Sequence, residues 1–336
     1  MKNPLFKRII LTLLSIMLIC YGISWFLLGQ YGVHMSSLFN RNTYAHSSIF
    51  SGDFWEDFGR HIENSIEDNY NHWDASIDTK DSFKDEKSSS IKGISSISIA
   101  SVSSDIDIEL IDGNELKAEF YITGDKDCAT LNVESSSDTI NLFIKYKNNT
   151  SNLIKDSKLK VYIPKSYNNN LKISTVSGNA YIKVSSLSLG EFSLQTTSGD
   201  GKIQGLTANS ASISSISGNI DILEQFNGNS LKVNTTSGDV KVSNINGSST
   251  ISTVSGEIDF SATSPVKGSL SAKSTSGDVD LSVGLLEFSL TGKTTSGDLK
   301  SSNKFNSSIS KRAISINNGD QYKIDVSTTS GDINVQ

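Results

Sequence analysis

Eight short strings reading Ser-Gly followed by Asn, Asp or Glu recur along the C-terminal half of the chain, and their third residue is the first candidate for chemistry. These residues are Asn179, Asp200, Asn219, Asp239, Glu257, Asp278, Asp298 and Asp332. Carried on successive turns of a repeat, they would stack about 5 Å apart, a spacing at which carboxylates repel and a hard cation such as calcium would relieve the repulsion. The GGxGxDxUx nonapeptide that builds calcium β-rolls is absent from the sequence. The column therefore reads first as turn-stabilising side chains that bond to nearby backbone, with calcium as the alternative. Asp239, Asp259, Asp278 and Asp280 could also supply a carboxylate pair for glycoside chemistry. Acids are so frequent on these segments that proximity alone selects no pair.

Other chemistries lack their residues. Positions 91 to 336 contain no His, no Trp and one Arg, Arg312, so neither a Ser-His-Asp nor a Cys-His site can be assembled there. No Walker loop, GxGxxG or HExxH string occurs. His34, His46, His61 and His72 all precede this region, at spacings that match no metal motif. Of the two cysteines, Cys20 lies in an apolar run far from Cys128, which predicts no disulfide and a small buried role for Cys128. The expectation is a protein that is not an enzyme, with no catalytic residues, no cofactor and no metal. Formal net charge is -6 without a basic stripe, which argues against nucleic acid as a partner.

The elements that must position the acid column are legible from its spacing. The glycines are Gly178, Gly199, Gly218, Gly238, Gly256, Gly277, Gly297 and Gly331, with gaps of 21, 19, 20, 18, 21, 20 and 34 residues. A period near 20 indicates a solenoid. Counting each Gly as zero, positions -7 and -5 are mostly apolar, as in Leu231 and Val233, and so are +2 and +4, as in Val240 and Val242. That is the period-2 pattern of two short strands flanking a corner. Position -3 is Ser or Thr in all eight repeats and position -1 is Ser in all eight. The corner is predicted to use a positive φ at Gly, and the -3 hydroxyls to stack as a ladder in which each satisfies the next. A further apolar residue in the connection, such as Leu206, Ile245 or Leu285, suggests a third, weaker side. One coil of 20 residues cannot bury its own apolar side chains, whereas coils stacked about 4.8 Å apart share one core. The predicted fold is all-β, a parallel β-solenoid, with a chain of antiparallel hairpins as the alternative.

Upstream, residues 91–170 read as degenerate repeats and a cap: Ile97, Ile99, Ser101, Asp105, Ile106 and Ile108 keep the register, with Ser104 in place of Gly. Residues 171–336 are the regular solenoid. Residues 29–90 form an acidic, aromatic linker in which Phe54, Phe58, Ile62 and Ile66 could share a helical stripe that packs on its own protein or docks a membrane partner. Lys80 to Ser90 reads as a solvated tether. Ile9 to Leu28 is a charge-free run of 20 residues, enough to span roughly 30 Å as a helix. A basic tail, residues 1–8, precedes it and an acidic stretch follows, so the N-terminus is expected in the cytoplasm and the β region outside, on an uncleaved single-span anchor.

The string LKVYIPKSYNNNLKISTVSGNAYIKV and the TTSGDV-like units after it resemble the bacterial putative-adhesin family, a domain of unknown function with β-strand repeats that includes LiaG-type proteins. The resemblance implies a β-solenoid at the envelope of a bacterium, Gram-positive by preference, and for some members a link to envelope stress. It supplies no catalytic residues. The expected function is a membrane-anchored surface protein that binds or senses a wall polymer or envelope protein. The alternatives are an envelope-stress accessory acting through a membrane partner and a carboxylate-based polysaccharide-active β-helix enzyme.

Overall fold

The computed structural model describes residues 82–125, 127–147 and 154–336. The expected membrane span, Cys20, the four histidines and the Phe54 to Ile66 stripe lie outside the described residues. Among the described residues no helix is long and apolar enough to cross a membrane.

Every regular element described is a strand, and the strands form two long sheets. Each coil places one strand in each sheet. Phe226–Thr235 runs along one sheet to the Ser-Gly-Asp corner, and Val240–Ser243 leaves it along the other. Adjacent coils pair in parallel and in register: Val233 lies between Ile213 and Ile251, and Val240 between Ile220 and Ile258. This pairing rules out antiparallel hairpins as the repeat. The alternation puts positions -7, -5, +2 and +4 inside, where Ile213, Val233, Ile251, Ile220 and Ile258 are fully buried. Burial of each such side chain stabilises by about 1.5–3 kcal/mol. Aromatics fill the wider parts of the core, including Phe260 stacked on Tyr322 at 6.0 Å between centroids.

The third side predicted from the connections is not a separate sheet. Leu206 and Ile245 are buried, but they begin the long strands Leu206–Ser215 and Ile245–Thr253, and both register on Phe226. Leu285 is 61% exposed, and its neighbour Leu286 takes the inward place.

Stack order departs from chain order at both ends. The strand Tyr322–Thr328 inserts between Gly268–Ser274 and Phe288–Thr294, so the coil with corner Gly331 lies between those of Gly277 and Gly297. At the other end, Ser96–Ser101 and Asp105–Ile111 form a coil on which Asn170–Thr175 and Ala180–Ile182 stack directly. On its far side lie Thr139–Tyr146 and Ile154–Pro164, also parallel. Beyond these, Glu115–Gly124 and Ala129–Ser135 pair antiparallel, so they cap the stack instead of repeating it. The segment expected to be a tether is part of that cap: Ser82–Ser90 is a strand paired antiparallel with Glu115–Gly124 over its whole length. Its run Lys84, Asp85, Glu86, Lys87 sits on the edge, where charge discourages pairing with another chain. The period-2 side chains of this strand were hidden by its polarity, since an edge strand with one wet face needs few apolar residues.

Candidate functional site

The corner column is where the sequence concentrated its candidates. All eight glycines fall in one line with Ser104 at its start. A Cβ on Gly199 would stand 2.0 Å from the carbonyl oxygen of Gly178, one on Gly238 2.1 Å from that of Gly218, and one on Gly297 1.9 Å from that of Gly331. None of the eight has a positive φ. Glycine is required here because the next coil's backbone occupies the place of a side chain, not because of the turn's dihedral angles. Positive φ occurs instead in a second close approach that the sequence reading missed, where Gly268 lies over Gly247 and Gly247 over Gly228.

The -3 hydroxyls serve the glycines, not one another. Thr196, Ser215 and Thr235 accept the N–H of their own corner Gly at 3.0, 2.7 and 2.9 Å. Toward the C-terminal end, Ser274, Thr328 and Thr294 donate to the Gly carbonyl of the preceding coil in the stack at 3.1, 3.1 and 3.0 Å. These buried hydroxyls therefore satisfy corner groups that have left the sheet ladder.

The acid column forms a ladder between coils. The Oδ1 of Asn179 accepts the N–H of Asp200, that of Asp200 the N–H of Asn219, and that of Asn219 the N–H of Asp239, each at 2.9 Å. Asp105 begins the series with Asn179 at 2.8 Å, Asp239 continues it to Glu257 at 2.9 Å, and Asp278, Asp332 and Asp298 complete it at 2.7 and 2.8 Å. The expected bond to the residue's own turn is replaced by one to the backbone of the neighbouring coil. Among the described residues no such bond links Glu257 to Asp278, where the longer side chain breaks the pattern. Asp332 titrates below the usual carboxylate range because it accepts the Asp298 N–H and pairs with Lys300. No three His, Cys, Asp or Glu side chains converge to hold a metal among the described residues.

The carboxylates considered for glycoside chemistry fall into two sets, one in the ladder and one on the outer face. Asp239 and Asp278 are committed to the ladder, Asp259 pairs with Lys241 at 3.1 Å, and Asp280 lies beside Asp259 on the outer face of the next strand. The most perturbed carboxyl is elsewhere, in the N-terminal cap. Glu119 is 6% exposed; Lys84 and Lys117 reach its Oε1 at 2.7 and 2.9 Å, and the Tyr121 and Tyr162 hydroxyls reach its Oε2 at 2.7 and 3.2 Å. These bonds, those of the two lysines foremost, hold it at about 2. With both oxygens occupied, Glu119 fastens three strands together. Cys128 is buried, in keeping with a small core residue.

A groove runs beside the corner on the outer face of the long strands, and no candidate residue had marked it. It has a volume of about 150 Å³ and crosses five coils from Thr175 to Val254. Its floor is position -4, with Gln195, Ser214, Asn234 and Ser252, and its bank is position -2, with Thr197, Ile216, Thr236 and Val254. Gln195 Oε1 is buried here without a hydrogen-bond partner among the described residues. The signal was present in the repeat, because position -2 is β-branched in every copy, from Val176 to Thr329.

The family model for Toastrack DUF4097 matches residues 94–336. No curated protein matches the chain. Solved structures similar to it include a "putative adhesin" from Bacteroides fragilis NCTC 9343, at 13% identity over 77% of this chain and 98% of that one with a TM-score of 0.45. Another is a "putative lipid binding protein" from Parabacteroides distasonis ATCC 8503, at 18% identity over 75% and 96% with a TM-score of 0.44. A "putative cell adhesion protein" from Clostridium sporogenes ATCC 15579 matches at 14% identity over 76% and 99%, with a TM-score of 0.32. The Ser-Gly-Asx coils and the cap strands from Glu115 onward lie within that match, and the chain belongs to the Toastrack DUF4097 family.

Proposed function

We propose that the protein is a non-catalytic binding protein of the bacterial envelope, held by its N-terminal apolar segment, that presents the flank of its β-stack to an extended wall polymer. The observation that carries this reading is the groove. Its thirteen lining residues include no titratable side chain, its hydroxyl and amide groups repeat at the coil spacing, and it runs across the strands for about 19 Å. Such a surface offers hydrogen bonds and methyl contacts to a long ligand but no acid, base or nucleophile activated by a neighbour. The test uses the full chain in detergent micelles, sedimented with purified wall polysaccharide and scored for retention and for new reducing or unsaturated ends. Retention without new ends is the expected result. Turnover that disappears in an Asp259→Asn, Asp280→Asn variant would overturn the reading in favour of an enzyme.

A further inference from the structure

The -4 row changes character along the stack. Through the groove it is uncharged, but beyond Ser252 it continues as Lys273, Ser327 and Lys293, which are register partners on adjacent parallel strands. Parallel partners face the same side, so the two ammonium groups flank the Ser327 hydroxyl on one surface. Arg312, the only Arg after position 90, immediately precedes the strand Ala313–Asn318, which pairs antiparallel with Phe288–Thr294, and its carbonyl accepts the Thr294 N–H at 3.2 Å. Lys293 and Arg312 line a separate open pocket of about 450 Å³ together with Ser327, Thr329 and Thr295. Among the described residues none of the three cations is in an ion pair. Asp325, two residues before Ser327 on the same strand, accepts the Thr291 hydroxyl. In a chain of net charge -6, this is a concentration of unpaired positive charge beside hydroxyl donors, at the end of the groove.

We infer that this pocket is an oxyanion seat and that the envelope polymer is a polyanion, its phosphate or carboxylate groups held by Lys293 and Arg312, with Lys273 in the same row between the pocket and the groove along which the chain lies. The inference rests on the binding reading above and narrows its ligand class. A guanidinium and an ammonium beside hydroxyl donors are the groups that bind an oxyanion, and charge-assisted bonds of this kind are about twice as strong as neutral ones.

The experiment measures binding of the full chain in detergent micelles to a glycerol-phosphate oligomer, to oligogalacturonate and to neutral chitohexaose at low and physiological salt. At least one of the acidic polymers should bind, more weakly as salt rises, and the two acidic arms tell phosphate from carboxylate recognition. A Lys293→Gln, Arg312→Gln variant should lose about tenfold in affinity for that polymer with its melting temperature unchanged. Lys202→Gln, an exposed cation on the other sheet, should bind as the parent does. Polymer binding that the double variant leaves intact, or that Lys202→Gln weakens equally, overturns the seat while the binding reading stands. Preference for chitohexaose does the same. If no polymer binds, both fail, and binding only to phosphatidylglycerol vesicles would assign the charge to a membrane surface instead.

Discussion

The middle of the stack and its two ends use the same corner chemistry but obey different rules of order. From Gly178 to Gly277 each coil rests on the one before it in sequence. At the C-terminal end the ladder bonds are made as well, yet they run from Asp278 to Asp332 and then back to Asp298. Corner and ladder are therefore interchangeable parts, since any coil ending in Thr-Ser-Gly-Asp satisfies any other. Order is set by the connections and by how the last edge is covered. The residues that lengthen the final gap build Ser307–Ile309 and Ala313–Asn318, a hairpin that pairs antiparallel on the outside of Phe288–Thr294. Ile314 and Ile316 are buried there, and Phe305 meets Phe288 edge to face at 5.2 Å. With that edge closed, the remaining coil fills the space inside it. The N-terminal end is closed by antiparallel strands and charge instead.

The largest expected effect comes from removing the inserted coil. A chain ending at Ser310 lacks both strands that pair with Phe288–Thr294, so hydrogen exchange should show protection lost throughout 288–301 and retained in 188–282. Protection of 288–301 in the shortened chain would mean that this coil can stack directly on its sequence neighbour, and the contrast between middle and end would dissolve. Next in size is Gly238→Ala. Its methyl would meet the Gly218 carbonyl at 2.1 Å, in a rigid part of the stack, so urea unfolding should report a loss of about 3 kcal/mol or more. Gly284→Ala, whose nearest neighbour is 4.0 Å away, should stay within about 0.5 kcal/mol. Equal losses at the two sites would show that backbone freedom, not space, is what the column requires.

The smallest effect distinguishes the ends by pH. Glu119 is held at about 2 in the folded cap against an ordinary value of 4.5, so its folded value is depressed. Its stabilisation is complete above about 4.5 and is lost as pH falls toward 2. Thermal unfolding of the parent should weaken across that window, and Glu119→Gln should flatten this part of the profile while lowering stability at neutral pH. A variant with an unchanged acid profile would remove Glu119 from the account of how the N-terminal end is fastened.

Much of this was written in the spacing of single residues. Gly and Asx at a period near 20, with apolar residues at -7, -5, +2 and +4, have one economical solution, because only stacked identical coils let every such position bury at once. Ser104 was legible as a corner without Gly, and there the outer layer receives a side chain: its Oγ bonds to Ser157 Oγ at 2.7 Å and to the Tyr146 hydroxyl at 2.8 Å. The groove was harder to see: its Thr, Ser, Asn and Gln are common surface residues, and only the stacking of five coils brings them together along one flank. The strand Ser82–Ser90 was hidden for a related reason, as its partner Glu115–Gly124 supplies the apolar face.

By itself, then, the sequence determined the repeat, its register and the all-β class, because these depend on local periodicity and on which side chains must leave water. Three things were decided only by the tertiary structure. The corner glycines answer to a neighbouring carbonyl and not to their own φ, the acid column bonds from coil to coil while the hydroxyls serve both their own corner and the neighbouring one, and the final coil sits inside the one that precedes it. The contacts between coils join residues 15 to 74 positions apart, and they follow from where the chain returns, which composition and period leave open.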